Sequence, residues 1–240
     1  KNGGFVFSMA ISHYMYVATN PPTIDRKIRL HYSQSETVDH VSQLQHDLAR
    51  EALLYHGIED KMEVSSMADI PAGTGVGSSS CCLVGLLMAL HHYKRDYVTL
   101  HQLAEEACDI ELNILKKGIG KQDQYMAAFG GLTSMTIKPD GEVAVATLNL
   151  GSGAIAELVA NTHIYYTGTR RSAETVLADQ DNDLKKSTKT KQANQASDNM
   201  DRIKELGYKM QEAVLQENFD AWGTLTHEHW LLKKRLSSKI

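Results

Sequence analysis

Apolar and polar residues alternate in twos near the start of the chain, then fall into a three-to-four-residue rhythm further on. FVFSMAI (5–11) and HYMYVATN (13–20) read as strands, and after the Pro21–Pro22 break IRLHYS alternates Ile28, Leu30 and Tyr32. Together these segments predict an antiparallel sheet. Residues 39–56 carry Val41, Leu44, Leu48 and Ala52 at helical spacing, which predicts one helix. MEVSSMA (62–68) then reads as a strand feeding PAGTGVGSSS (71–80), and the apolar run CCLVGLLMAL predicts a helix opening at the serines.

Further on, HQLAEEACDIELNILKK predicts a helix with Leu103, Ala107, Ile110 and Ile114 turned inward and a stop at Gly118. GIGKQDQYMAAFGG (118–131) reads as a loop or interhelical segment dense in glycine and amides. TSMTIKP and EVAVATLNL predict a hairpin turned at Asp140–Gly141. Composition shifts near GSGAIAE (151–157), which places a boundary at 152/153. Beyond it, THIYYTG (162–168) reads as a strand, followed by helices near 173–187, 199–216 and 219–236. Strands first, helices later and no regular alternation of the two predict an α+β fold rather than a doubly wound parallel sheet.

Composition narrows the function classes. The chain has 240 residues, 42% hydrophobic and 22% charged, with a net charge of −4 and an isoelectric point near 6.3. Its basic residues gather only locally, as in KKSTKTK (185–191), so nucleic acid is not an expected partner. LVGLLMAL is too short to span a bilayer and the first residues lack a signal-peptide layout, so no membrane is expected and the default location is cytoplasmic. Oligomeric state is not readable. Cys81, Cys82 and Cys108 form no CxxC pair and are expected as buried core thiols. His227 and His229 form an HxH, but helical spacing puts His229 on the stripe of Trp222, Leu225, Leu232 and Leu236 and predicts a partly buried, hydrogen-bonded histidine.

The chemistry gathers at PAGTGVGSSS. Gly73, Gly75 and Gly77 at alternate positions free the backbone to turn its N–H groups toward an anion, and Pro71 leads into them. Ser78, Ser79 and Ser80 fall in the first helical turn, where unpaired amides and the positive dipole end favour phosphate. A serine-capped flexible turn has the same text. The segment has neither the GxGxxG spacing nor the lysine of a Walker loop. Glu111 borders the apolar stripe of its helix, and either an ion pair or a Mg²⁺ shared with nucleotide phosphates would satisfy it. Asp123 sits in the amide-rich segment, where a turn or cap role and a catalytic one both fit.

Taken together, PAGTGVGSSS, Glu111 and GKQDQY twelve residues on resemble the GHMP small-molecule kinases, which include galactokinase, homoserine kinase and mevalonate kinase. NGGFVFSMAI, SMADIPAGTGVGSSS, GKQDQYMAAFGGL and YYTGTRRSA are similar to the D-glycero-D-manno-heptose 7-phosphate kinases of the sugar-1-kinase branch. The resemblance implies a two-domain fold: residues 1–152 as the ATP-binding domain, like domain 2 of ribosomal protein S5, and 153–240 as part of a ferredoxin-like domain.

It also implies ATP-dependent phosphorylation of a sugar at its anomeric hydroxyl, most closely a heptose 7-phosphate, with fucose or galactose as other acceptors and a non-catalytic nucleotide- or sugar-binding regulator as the alternative. By the same resemblance the amides of Gly73 to Ser80 wrap the nucleotide phosphates, and Ser78 or Ser79 with Glu111 holds Mg²⁺. Asp123 would activate the sugar hydroxyl at an ordinary pKa, flanked by Lys121 and Gln122, with Arg170 (or Arg171) on the sugar phosphate. The family's opening and closing signatures would precede Lys1 and follow Ile240, so an incomplete copy of a longer enzyme is expected.

Overall fold

A computed structural model describes residues 3–168 and 191–234, the side chains of 191–197 excepted. By its contacts the chain forms two units, one of residues 1–10 with 130–240 and the other of residues 11–129. This grouping follows strand pairing rather than the composition shift at 151–157.

In the unit of residues 11–129, β2 (Met15–Asn20), β3 (Ile28–His31), β4 (Ser35–Val38) and β5 (Met62–Ala68) make a sheet ordered β2-β5-β3-β4. The alternation of Ile28 and Leu30 on β3, and of Met62 and Val64 on β5, turns one face inward. That face meets α1 (Asp47–Tyr55) and α2 (Ser78–Lys94) through Leu48, Ala52, Leu83, Leu86, Leu87 and Leu90. Glycine inside a helix is unfavourable, yet Gly85 lies in mid-α2. A Cβ there would stand 3.1 Å from Cγ2 of Val17, so the glycine lets α2 lie close on β2.

Two expectations about this unit are corrected. The predicted all-antiparallel sheet is mixed, since β3 and β5 run parallel. The predicted single helix over 39–56 is a short 3₁₀ turn, Val41–Gln43, followed by α1. Leu44 is extended between them, and the Glu36 carboxylate takes the amides of Gln45 (2.6 Å) and His46 (3.2 Å), diverting them from a helical ladder. Val41 and Leu44 are nonetheless buried.

In the other unit, β1 (Gly4–Met9) pairs antiparallel with β6 (Leu132–Ile137), which pairs with β7 (Val143–Thr147). The first strand therefore belongs to a different sheet from β2, contrary to the expectation of one opening sheet. Alternation marks a strand without naming its partner. The β6–β7 hairpin turns at Asp140–Gly141 as predicted, with Gly141 at φ 91°. GSGAIAE opens α5 (Ser152–Ala160), with Gly151 as its extended N-cap. Residues 162–168 are not a strand; Ile164, Tyr165 and Tyr166 are exposed, and strand-like text without a pairing edge does not form one. The predicted helix near 173–187 lies outside the described residues. α6 (Lys191–Leu215) and α7 (Phe219–Lys233) follow. Tyr208 of α6 stacks on Phe5 of β1 at 4.0 Å. Among the described residues, no helix is long and apolar enough to cross a membrane.

Cys108 is buried as expected, and its thiol is pushed up to about 12 by burial. Cys81 and Cys82 are half-buried, not core thiols. His229 is half-buried in α7, and burial lowers its pKa.

Candidate active site

The loop from 71 to 77 enters α2 through three left-handed glycines: Gly73 at φ 81°, Gly75 at φ 84° and Gly77 at φ 72°. Thr74 and Val76 between them are not left-handed, and such alternation curls successive N–H groups into one concavity. Pro71, Gly73 and Gly75 are exposed, and Thr74 Oγ1 braces the turn by donating to the Pro71 carbonyl at 3.1 Å. Gly77 caps α2 without a side-chain hydrogen bond, so the first-turn amides are not claimed by a capping side chain.

The helix phase separates the three serines. Ser79 is exposed, Ser78 half-buried and Ser80 buried. The structure thus brings Ser80, rather than Ser78 or Ser79, into hydrogen bonding with Glu111. Ser80 Oγ donates to Glu111 Oε2 at 2.8 Å, and Gln124 Nε2 donates to the same oxygen at 2.6 Å.

Glu111 is only 1% exposed, and its depth has a local cause. α3 (Leu100–Cys108) runs into a π-helical turn, Asp109–Ile114, in which Leu115 N donates to Ile110 O five residues back at 2.9 Å. The wider turn shifts the helical phase: Ile110 and Glu111 both point inward, and Ile114, expected inside, is 43% exposed. Lys117 Nζ stands 3.9 Å from Glu111 Oε1 and 3.7 Å from Asp47.

GIGKQDQYMAAFGG is not a loop throughout. Residues Gln122–Phe129 form α4, with Asp123 in its first turn. There the carboxyl of Asp123 lies against the start of α2, since a Cβ on Gly77 would stand 3.3 Å from Asp123 Cγ and 3.4 Å from Oδ2. Its charge also pushes up the thiol of Cys81, after burial itself. Burial raises the pKa of Asp123 despite a hydrogen bond from Gln122, which corrects the expectation of an ordinary value.

Lys121 Nζ donates to both oxygens of Glu105, at 3.0 and 2.9 Å, and the Tyr125 hydroxyl also donates to Glu105. Gln122 is exposed, and Arg170 and Arg171 lie outside the described residues. The loop, Ser80, Glu111 and Asp123 thus meet around one end of α2. Gln124, Lys117 and Tyr125 were missed by sequence reasoning. Helical phase could have found Gln124 only if α4 had been read as a helix.

The donor set around Glu111 fits a divalent cation. Ser80 and Gln124 both use Oε2, which leaves Oε1 facing Lys117, and Gln124 Oε1 is buried with no partner. Carboxylate, hydroxyl and amide oxygens are the hard ligands that Mg²⁺ takes.

A mixed-sheet unit thus carries an anion-receptive loop, a buried glutamate and an aspartate around one helix start, an arrangement that suits a phosphate group. Residues 40–131 match the family model "GHMP kinases N terminal domain", and the fold is shared with solved small-molecule kinases. Among curated proteins the chain is similar to the D-glycero-alpha-D-manno-heptose 7-phosphate kinase of Campylobacter jejuni subsp. jejuni serotype O:2, 30% identical over 174 residues. That match takes in 72% of this chain and 49% of the relative, so the chain spans about half the length of the curated relative it matches.

A solved structure described as a D-glycero-D-manno-heptose 1-phosphate kinase from Bacteroides thetaiotaomicron superposes with TM-score 0.79 at 22% identity, covering 97% of this chain and 71% of that one. Lactococcus lactis galactokinase complexed with galactose gives TM-score 0.63 at 17% identity, covering 93% and 68%.

Proposed function

We propose that this chain belongs to an ATP-dependent sugar kinase that phosphorylates the anomeric hydroxyl of D-glycero-D-manno-heptose 7-phosphate, giving the 1,7-bisphosphate. Residues 1–152 would form its ATP-binding domain and 153–240 part of the second. The observation that carries the reading is the contact of Asp123 with Gly77, which sets a carboxylate beside amides suited to an anion.

In this reading the amides from Gly73 to Ser80 hold the nucleotide phosphates. Glu111, oriented by Ser80 and Gln124, and the hydroxyl of Ser78 or Ser79 would hold Mg²⁺. When bound, Mg²⁺ neutralises charge on the phosphate oxygens. Asp123 takes the proton of the anomeric hydroxyl as that oxygen bonds to the γ-phosphorus. The bond from the γ-phosphorus to its bridging oxygen breaks, and ADP leaves with the electron pair. A buried carboxylate of raised pKa is a stronger base than one in water, which suits this role. Lys121 and Gln122 flank Asp123 on the acceptor side, and Arg170 would fork onto the sugar phosphate.

ADP release measured across heptose 7-phosphate, fucose and galactose tests the acceptor. Turnover with the heptose phosphate alone supports the full reading. Turnover with a free hexose alone moves it to another sugar kinase, and nucleotide binding without ADP release would replace it with a regulator.

A further inference from the structure

We propose that His56, His91 and Glu106 form a binding site for a divalent transition-metal ion of the zinc type, one that clamps three helices of the unit of residues 11–129. His56 caps the C-terminus of α1, His91 lies in the last turn of α2 and Glu106 belongs to α3. One donor atom from each residue lies within 4.8 Å of the others. No sequence motif joins residues so far apart in the chain; only the packing of the helices assembles them.

The arrangement leaves hydrogen-bonding capacity unused. His56 is 8% exposed and its Nε2 has no partner, and His91 Nδ1 is likewise buried and unpartnered. Buried polar atoms are nearly always paired, so two orphaned imidazole nitrogens within one cluster point to a ligand. The rings meet edge to face at 4.7 Å, and His91 Nε2 contacts Glu106 Oε2 at 2.8 Å. The His91 and Glu106 side chains are 12% and 22% exposed, which gives an ion a way in from solvent. Lys94 is the adverse charge: its Nζ donates to the His56 carbonyl at 3.3 Å, while Asp96 stands 4.0 Å from that ammonium.

Two imidazoles and one carboxylate form a three-ligand set that leaves a fourth position for water. Imidazole nitrogen favours zinc, cobalt, nickel or copper over magnesium or calcium. Tetrahedral zinc holds its ligands ~3.4 Å apart. His91 Nε2 and Glu106 Oε2, at 2.8 Å, would therefore part slightly and the more distant donors, within 4.8 Å, would close in by about an ångström, both within reach of modest rotation. The site lies ~20 Å along α2 from the phosphate loop, thirteen residues of helical rise away, so it is separate from the centre built on Glu111 and Asp123. Its role is structural: an ion there fixes the far end of the helix whose near end carries the phosphate loop.

The test uses the untagged, chelator-treated chain with the metal alone as probe. Calorimetric titration with Zn²⁺ should show one saturable equivalent, Co²⁺ should give the visible absorption of a tetrahedral site, and saturating Zn²⁺ should raise the melting temperature. His56→Gln and Glu106→Gln should each weaken Zn²⁺ binding by ~tenfold or more and remove the thermal gain. His227→Ala, at the exposed histidine of the HxH, should change neither, and millimolar Mg²⁺ should not compete. The absence of a saturable equivalent, or wild-type binding by both variants, overturns the proposal. If His56→Gln fails to fold, Glu106→Gln, altered at a partly exposed carboxylate, decides alone.

Discussion

A Cβ built on Gly77 would stand 3.3 Å from the carboxyl carbon of Asp123, although 46 positions separate the two residues in the chain. The close approach joins the glycine loop to the aspartate and depends on a residue with no side chain. Gly77 also holds φ 72°, a conformation other residues adopt only at a cost of ~1–2 kcal/mol.

Gly77→Ala is therefore expected to lower stability by ~1–2 kcal/mol, or roughly 2–6 °C in melting temperature, and to displace Asp123. Gly75→Ala is the control, since Gly75 is equally left-handed but has nothing within 4 Å of its Cβ position. Both variants should melt early. Only Gly77→Ala should shift the acid limb of the pH–rate profile, where Asp123 titrates; equal shifts in both would contradict the contact.

Ser80 and Glu111 form a buried pair, so their contributions should be coupled. Ser80→Ala removes one of two hydrogen bonds to a carboxylate oxygen that water cannot reach, costing ~1–3 kcal/mol. A urea-denaturation double-mutant cycle with Glu111→Gln should return a coupling of ~0.5–3 kcal/mol. Additivity within ~0.3 kcal/mol would mean the bond contributes nothing.

Asp123→Asn should stabilise the fold at neutral pH while it disables the site. Burial raises the Asp123 pKa above its unfolded value, so the native state holds the proton more tightly than the unfolded chain. Above both values the ionised form lowers stability, and the penalty is relieved as pH falls through the raised folded pKa. Asparagine removes it. Calorimetry at pH 7 should show a melting temperature ~1–4 °C higher in the variant, and the gap should narrow toward acid. A lower melting temperature would place the stabilising interactions of the carboxylate above its burial.

Glu105 behaves in the opposite sense. Burial pushes its pKa up, but hydrogen bonds from Tyr125 and Lys121 together outweigh it, and the net value lies below the ordinary 4.5. The stability it contributes is present above that value and is lost as pH falls through the folded pKa. Tyr125→Phe should cost about 1–2 kcal/mol at neutral pH and less in acid, where the carboxylate is protonated. Urea midpoints followed from pH 7 downward through the acid range check this, and a pH-independent loss would count against the bond.

The glycine loop and the start of the helix behind it were largely legible in the sequence. Alternate glycines ahead of an apolar run fixed the loop and the start of α2 at Ser78, because backbone freedom and helical periodicity are both local. Glu111 was legible as a border residue but not as a buried one. A regular helix puts Ile114 inside, and only the π-helical turn exchanges its exposure for the burial of Glu111. α4 was hidden by its polar opening and flanking glycines; what holds it is packing of Tyr125 and Gln124, not propensity. Strand pairing was the least legible, since β1 finds β6 across more than a hundred residues. The division of Glu111's partners depends on helix phase at a resolution of one residue, which sequence boundaries do not reach.

The central claim is that Asp123 accepts the acceptor's proton beside a phosphate-binding loop. Single-turnover ADP release with ATP, Mg²⁺ and D-glycero-D-manno-heptose 7-phosphate, compared between wild type and Asp123→Asn, tests it most directly. The account predicts nucleotide affinity largely unchanged and a rate lower by at least ~100-fold in the variant, the usual cost of losing a general base. A wild-type rate in Asp123→Asn would contradict it.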